Sequence, residues 1–416
     1  MTKPILLCIA LVAANAVAAE RVAITADRLL DVRSGRYVDK PVIVAEDGKV
    51  VEIRNGEPPA DAKLLRLDGL TLVPGLIDMH VHLDSDPSYG GYTRYQFNDR
   101  FWSVLAVVHA GKTLQAGFTT VRNVGSDAWN DVGLRQAIDA GKVVGPRVVT
   151  AGYAIGSTGG HCDETYFPPS MKQKGEYVFD GPDEARRRVR EVRKYGAQVI
   201  KICATGGVFS LNTEPGQQQL SLAEMKAVVE EAHLQGLKVA AHAHGTSGIK
   251  DAIRAGVDTI EHASLIDDEG IALAKRMGAW LSMDIYDTEY IQAEGKANGT
   301  LEENLRKDRE VSDLQRENFR KAHRAGVKMI FGTDAGVYPH GQNARQFAWM
   351  VKNGMTPLEA IRAATLNASQ ALGRDDVGVV EKGRYADLVA VKGDPLTDVT
   401  VLENVVAVVK GGVRVK

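Results

Sequence analysis

The sequence is poor in the features that mark several common protein classes. It has three cysteines in 416 residues, too few for a scaffold built on disulfides. No apolar run approaches the ~18 residues that a membrane-spanning helix needs. Lys and Arg number 51 against 53 Asp and Glu. Neither sign is in excess, so charge gives no case for a nucleic acid or an anionic membrane surface as partner. Low-complexity tails and heptad repeats are absent. A Gly-rich phosphate loop is also missing after the first strong strand, where "HVHLDSD" follows instead. That absence argues against a doubly wound dinucleotide-binding sheet.

What is present suits a soluble enzyme, with 44% hydrophobic and 25% charged residues. The length fits two to three domains of about 150 residues, or one α/β barrel with additions. At the start, Lys3 is followed by the apolar run Ile5 to Ala14 and then by Ala16-Val17-Ala18-Ala19. This order is that of a secretory signal peptide over residues 1–19, cleaved at Ala18 or Ala19. The expected location is therefore periplasmic or extracellular. Cys162 and Cys203 remain after cleavage and are read as two free thiols, because a chain of this size does not need a bridge to be stable.

One pattern recurs through the middle. A helical stretch ends at a Gly, and an apolar strand follows that ends in polar residues. Examples are "VRKYGAQVIKICATGG", "AHLQGLKVAAHAHG", "IRAGVDTIEHAS" and "AHRAGVKMIFGTDAG". Gly just past a helix end takes a left-handed backbone at little cost. With "LTLVPGLIDMHVHL" and "GPRVVTAGYA" the pattern gives eight strands alternating with helices. The strands are near-continuous apolar runs, as expected when both faces are buried. The fold class is α/β, a closed (β/α)₈ TIM barrel over residues 71–373. Residues 20–70 and 376–416 hold short β-rich runs with Gly turns, among them "VIVAEDGKVVEIR". They are expected to form one small β-sandwich from both chain ends. Two insertions, Thr205–Leu220 and Ile285–Asp313, follow strand ends, where barrel enzymes place substrate loops.

The residues with chemical potential fall at strand C-termini, where a barrel builds its active site. His80 and His82 share one strand face. Lys201 lies inside an apolar strand, where an ammonium is costly unless paired or neutralised. It fits a paired structural Lys, a Schiff-base nucleophile, or a lysine carboxylated by CO₂. His242 and His244 end the fifth strand, His262 the sixth, and Asp334 the eighth. Core packing does not account for so many metal-binding types at one end of a barrel. His161 and His340, in loops after the third and eighth strands, are candidate substrate contacts. His109, His233 and His323 fall in helices and are read as structural or surface residues.

These motifs, in this order, resemble the amidohydrolase superfamily over nearly the whole chain. "TGGHCD", "VIKICATGGV", "EPGQQQL", "VAAHAHG" and "DTIEHAS" are similar to its imidazolonepropionase-related branch. That branch contains secreted Xaa-Pro dipeptidases, arginine or lysine carboxypeptidases and an ochratoxin-hydrolysing enzyme. The resemblance implies two divalent metal ions, zinc being expected, with manganese or cobalt as substitutes. It implies His80 and His82 on one ion, His242 and His262 on the other, and carboxylated Lys201 between them. Asp334 would bind the first ion and move protons, and His244 would assist catalysis. His161, His244 and His340 would meet the substrate. The implied reaction is hydrolysis of the amide bond of a small N-acyl amino acid or dipeptide, releasing the C-terminal amino acid, with ochratoxin A a candidate substrate. Asp284, Asp287 and Glu289 offer a place for a cationic side chain, or are plain surface charges. The resemblance also implies a homo-oligomer, an octamer being expected. Deaminase or cyclic-amide hydrolase chemistry is the alternative. Deaminases of the superfamily carry His-x-x-Glu after the fifth strand, and here Gly245 stands three residues after His242. A Schiff-base lyase would use Lys201 but leave the histidines idle, and an assembly module without metals would have no need of the full set.

Overall fold

The computed structural model describes residues 21–416, so the expected signal peptide at 1–19 lies outside the described residues. Five strands come first: β1 (Arg21–Asp31), β2 (Arg36–Asp39), β3 (Val42–Glu46), β4 (Lys49–Arg54) and β5 (Lys63–Pro74). Eight short parallel strands follow, each answered by helix. They are β6 (Leu76–Val81), β7 (Phe118–Asn123), β8 (Arg147–Thr150) and β9 (Val199–Cys203), then β10 (Lys238–Ala243), β11 (Thr259–His262), β12 (Trp280–Ser282) and β13 (Met329–Ile330). The first six are followed by α1 (Asp99–Gln115), α2 (Asn130–Asp139), α3 (Pro182–Lys194), α4 (Leu222–Leu234), α5 (Thr246–Ala255) and α6 (Asp268–Met277). After β12 come α7 (Asp287–Glu294) and the long α8 (Glu302–Ala325); after β13 come α9 (Arg345–Lys352), α10 (Pro357–Ala363) and α11 (Leu366–Leu372). The chain ends with β14 (Leu388–Val391), β15 (Val405–Lys410) and β16 (Val413–Arg414).

The eight central strands close into a ring. β6, β7 and β8 pair in parallel, as do β9 to β13 in order. A parallel bridge between Ile155 and Ile202 joins the two groups on one side, and one between Val81 and Ala335 joins them on the other. The fold is thus a TIM barrel, and its inner layer below the polar end is filled by Val124, Ala151, Val199 and Ala240. Helices end at the expected glycines: Gly256, Gly278 and Gly326 are left-handed, with φ of 94, 75 and 72°. No helix is long and apolar enough to cross a membrane among the described residues.

The chain ends form one eight-stranded sheet, in the order β16-β15-β14-β5-β1-β3-β4 with β2 beside β1. The "EDGK" turn closes the β3–β4 hairpin, Asp47 and Gly48 both having positive φ (48 and 77°), as a two-residue hairpin turn requires. Ile24, Ile43, Leu67, Leu72, Leu388 and Ala407 form the core of this sheet, separate from the barrel. The boundary differs from the one expected at residue 70. β5 continues to Pro74, with Leu72 paired to Ala390. The chain enters the barrel only after Gly75, where a Cβ would overlap Thr119 of the neighbouring strand.

Candidate metal centre

Strand alternation places Asp78 and His80 on one face of β6, turned into the barrel, and His82 follows just past the strand's end. Lys201, His242, His244 and His262 enter the same space from β9, β10 and β11, and Asp334 from the loop after β13. His80 is 1% exposed, Lys201 and His242 4%, His244 and His262 5%. The imidazoles form a contiguous chain. Ring centroids lie 5.4 Å apart for His82 and His80, 5.0 Å for His80 and His262, 4.7 Å for His262 and His242, and 4.2 Å for His242 and His161. Potential ligand atoms of His80, His262 and Asp334 lie within 4.8 Å of one another, as do those of His242, His244 and His262.

Each ring has one nitrogen held from behind, and the chemistry of the holder differs. Nδ1 of His80 meets Glu261 Oε2 at 3.0 Å, and Nδ1 of His82 the carbonyl of Gly125 at 3.1 Å. His242 Nε2 meets the carbonyl of Gly206 at 3.1 Å, and His262 Nδ1 meets Asp284 Oδ2 at 2.8 Å. Carbonyl and carboxylate oxygens only accept hydrogen bonds. The held nitrogen therefore carries a proton, and the neutral ring turns the lone pair of its other nitrogen into the site. His244 Nδ1 and His161 Nδ1 meet hydroxyls instead, Ser264 Oγ at 2.7 Å and Ser210 Oγ at 2.9 Å. A hydroxyl can donate or accept, so these two rings are free to present an N–H to the site. Burial holds the His161 imidazole down at about 3, and burial with the neighbouring His262 holds His244 well below its usual range.

Asp334 supplies the anion. His80 Nε2 and His82 Nε2 each lie 3.3 Å from its Oδ1, yet that buried oxygen makes no hydrogen bond. Burial opposes its ionisation, but His80 and His82 outweigh it and hold the carboxyl well below the usual carboxylate range. Only the backbone of Lys201 is hydrogen-bonded among the described residues, its carbonyl accepting from the Ile155 N–H at 2.9 Å, and burial pushes its ammonium down to about 8. Once both imidazoles are neutral, their lone pairs face a buried carboxylate oxygen that has no hydrogen bond, with a neutralisable amine beside them, and that arrangement is costly unless a cation joins them. The donor set therefore fits divalent cations held by imidazole and carboxylate. The backbone is strained at two of these residues. His262 and Asp334 have φ of 68 and 55°, a conformation that non-Gly residues rarely adopt outside functional sites.

Two expectations are corrected. His340 does not face the site. Its Nε2 meets the carbonyls of His82 and Ser85 at 3.1 and 3.2 Å, and its ring stacks on His109 at 4.4 Å. It ties the loop after β13 to the loop after β6, and burial pushes its imidazole down to about 3. Cys162 and Cys203 are not free thiols but a disulfide, with Cα atoms 5.8 Å apart. The loop after β8 folds back on β9 and brings them together, a contact between residues 41 positions apart. Of the acidic trio after β12, Asp284 lies behind His262, Asp287 lies within reach of Asp284 and Asp334, and Glu289 pairs with Arg316 at the surface.

Sequence reasoning missed Glu261 and Arg122. Both are charged residues inside apolar strands, and that was the available signal. Arg122 Nη2 donates to Glu261 Oε1 at 2.7 Å, and burial of the Glu261 carboxyl is outweighed by Arg122 and His80, which hold it well below its usual range.

Comparison with known proteins identifies the family and the fold. The model of the amidohydrolase family matches residues 71–415. The chain is 33% identical to ochratoxinase from Aspergillus niger, over 91% of this chain and 83% of that one. The crystal structure of a Xaa-Pro dipeptidase with methionine bound in its active site superimposes with a TM-score of 0.89 at 37% identity, covering 95% of this chain and all of the other. A prolidase complexed with N-methylphosphonate-L-proline superimposes with a TM-score of 0.85 at 30% identity, covering 95% and 99%.

Proposed function

The chain belongs to the amidohydrolase family, and on that premise we propose that it is a two-cation hydrolase releasing the C-terminal amino acid from dipeptides and N-acyl amino acids. That it hydrolyses amide bonds follows from the family and its relatives. The observation that carries the finer reading is the division of the histidines by their partners. Four rings, His80, His82, His242 and His262, are locked with a lone pair inward, as ligands must be. His161 and His244 are left able to donate, as groups meeting substrate oxygen must be.

Cations held there supply Lewis acidity and an activated water. The protein's own residues supply the rest. His161 and His244, both neutral, direct Nε2 at the carbonyl oxygen that gains charge or at the substrate's terminal carboxylate. Asp334 is an anion at neutral pH, so it can take the proton of the attacking water and deliver it to the departing amine. Lys201, unpaired and with its neutral amine within reach near pH 8, is the form of lysine that adds CO₂ and gains two oxygen donors.

The amide reading draws on the relatives. A methylphosphonate on proline nitrogen has the shape of a tetrahedral adduct at an amide carbonyl, with a free carboxylate beyond. Ochratoxin A is likewise an amide of phenylalanine and is a candidate substrate. The deaminase alternative would need an acid at position 245, where any Cβ would overlap the backbone of Gly216. The Cys162–Cys203 bridge supports export to an oxidising compartment. The outer face of α1, with Val104 64%, Val107 39% and Val108 46% exposed, supports self-association.

The test is elemental analysis of the mature protein with release assays on Xaa-Pro, Xaa-Arg, Xaa-Lys and Xaa-Phe dipeptides and ochratoxin A. About two zinc per chain with chelator-sensitive release of one class is expected. No metal, or no release from any member, would overturn the reading.

A further inference from the structure

The proposed chemistry makes no use of Glu261, yet the fold goes to some length to place it. Its side chain is wholly buried, and its Oε1 also receives Thr259 Oγ1 at 2.5 Å. Arg122, equally buried, donates to the carbonyl of Met79 at 2.6 Å and to Thr259 Oγ1 at 2.9 Å. The pair thus ties β6, β7 and β11 together directly beneath His80. A buried ion pair is generally no more stabilising than apolar residues of the same volume, so stability does not account for it. The backbone carries a second cost. Thr259 and Glu261 face the barrel interior, so strict alternation would turn His262 outward. His262 and Ala263 instead take φ of 68 and 50°, which lets two consecutive residues, Glu261 and His262, both enter the barrel. A strand that needed only the histidine would avoid this strain.

We propose that Glu261, paired with Arg122, is a positioning residue that fixes His80 through its Nδ1–H and thereby sets the affinity of one cation, the one shared by His80, His82 and Asp334. Asp284 serves the other cation in the same way. It accepts the Nδ1–H of His262 and is itself steadied by Gln315 Nε2 at 3.1 Å. His82 and His242 have only main-chain carbonyls behind them. Each cation therefore has one histidine backed by a carboxylate and one backed by the backbone. A carboxylate makes the imidazole the stronger donor, so the two carboxylates are separate handles on the two cations.

The inference rests on the two-cation reading. Zinc content and competition with a chromogenic chelator are measured on the wild type, E261Q and D284N, with circular dichroism of the metal-free proteins as the check on folding. E261Q is expected to hold one zinc about 10- to 100-fold more weakly and the other unchanged. In an H82A background, where that cation is already lost, E261Q has little further effect, whereas D284N weakens the zinc that remains. R122K, which keeps the carboxylate, gives a smaller loss of the same zinc and replaces E261Q if that variant does not fold. Two zincs of unchanged affinity in E261Q and R122K would overturn the inference and leave the two-cation reading standing. A wild type without zinc would overturn that reading itself.

Discussion

The His161 ring lies flat on the His242 ring, with centroids 4.2 Å apart and 23° between their planes. A residue of the third βα loop is thereby stacked on one that the fifth strand delivers. Gly207 makes room for this contact, since a Cβ there would overlap the His161 ring itself.

G207A should therefore act as an active-site variant although Gly207 carries no functional group. It is expected to lower kcat/KM about 10²-fold, as loss of a positioned donor does, with zinc content unchanged. H161A should lower it by a similar factor, and the double variant by no more than either alone. Steady-state kinetics with elemental analysis decide. Wild-type activity in G207A would show that the stacked position of His161 is not the working one.

The disulfide anchors the same loop, because Cys162 follows His161 directly. Its 41-residue separation corresponds to about 4 kcal/mol of chain entropy removed from the unfolded state. C162S/C203S should lose stability of that order in urea titration. Reductant should shift the wild-type midpoint toward that of the variant and leave the variant where it is. Coincident midpoints for the oxidised wild type and the variant would contradict this.

How far the sequence reaches is seen in β6 and β11. In β6 and just past its end, alternation alone places His80 and His82 inward, and that reading needs only two-residue periodicity. In β11 the same rule fails, because Glu261 and His262 are neighbours and both face inward through a left-handed residue. No periodicity announces that, so alternation gives Glu261 no place in the site. The bridge between Cys162 and Cys203 and the inward turn of His340 on His109 are tertiary meetings between segments that the sequence holds far apart. The barrel was legible because its signal is repeated eight times, whereas each of these contacts occurs once.

Lys307 is a further contact of that kind. It is fully buried on α8, with Nζ 2.8 Å from the carbonyl of Ser210 and 2.6 Å from Glu303. Ser210 Oγ in turn holds His161. K307M keeps the length of the side chain and leaves that carbonyl unpaired. It should cost about 1–3 kcal/mol of stability and lower kcat/KM through His161. Kinetics of K307M, H161A and the double variant form a cycle. Fully additive effects on kcat/KM would break the proposed link, and strong non-additivity supports it.

Asp131 should give the protein a pH dependence unrelated to catalysis. Its carboxyl is 1% exposed and receives the N–H groups of Val132 and Gly152 at 2.7 and 3.0 Å. Burial, with the nearby Asp84, raises it from 3.8 to about 7. The folded state then holds the proton more tightly than the unfolded chain. This contribution to stability is fully present below the unfolded value of 3.8, falls as pH rises through the window to about 7, and is absent above it. The slope inside the window is on the order of 1 kcal/mol per pH unit for a single carboxyl. D131N cannot ionise, so between pH 4.5 and 8.5 its stability relative to wild type should improve up to about pH 7 and then level off. Urea midpoints for the two proteins across that range measure the difference. A constant offset would mean that Asp131 is already ionised in the folded protein, with its two backbone donors sufficient to hold the charge.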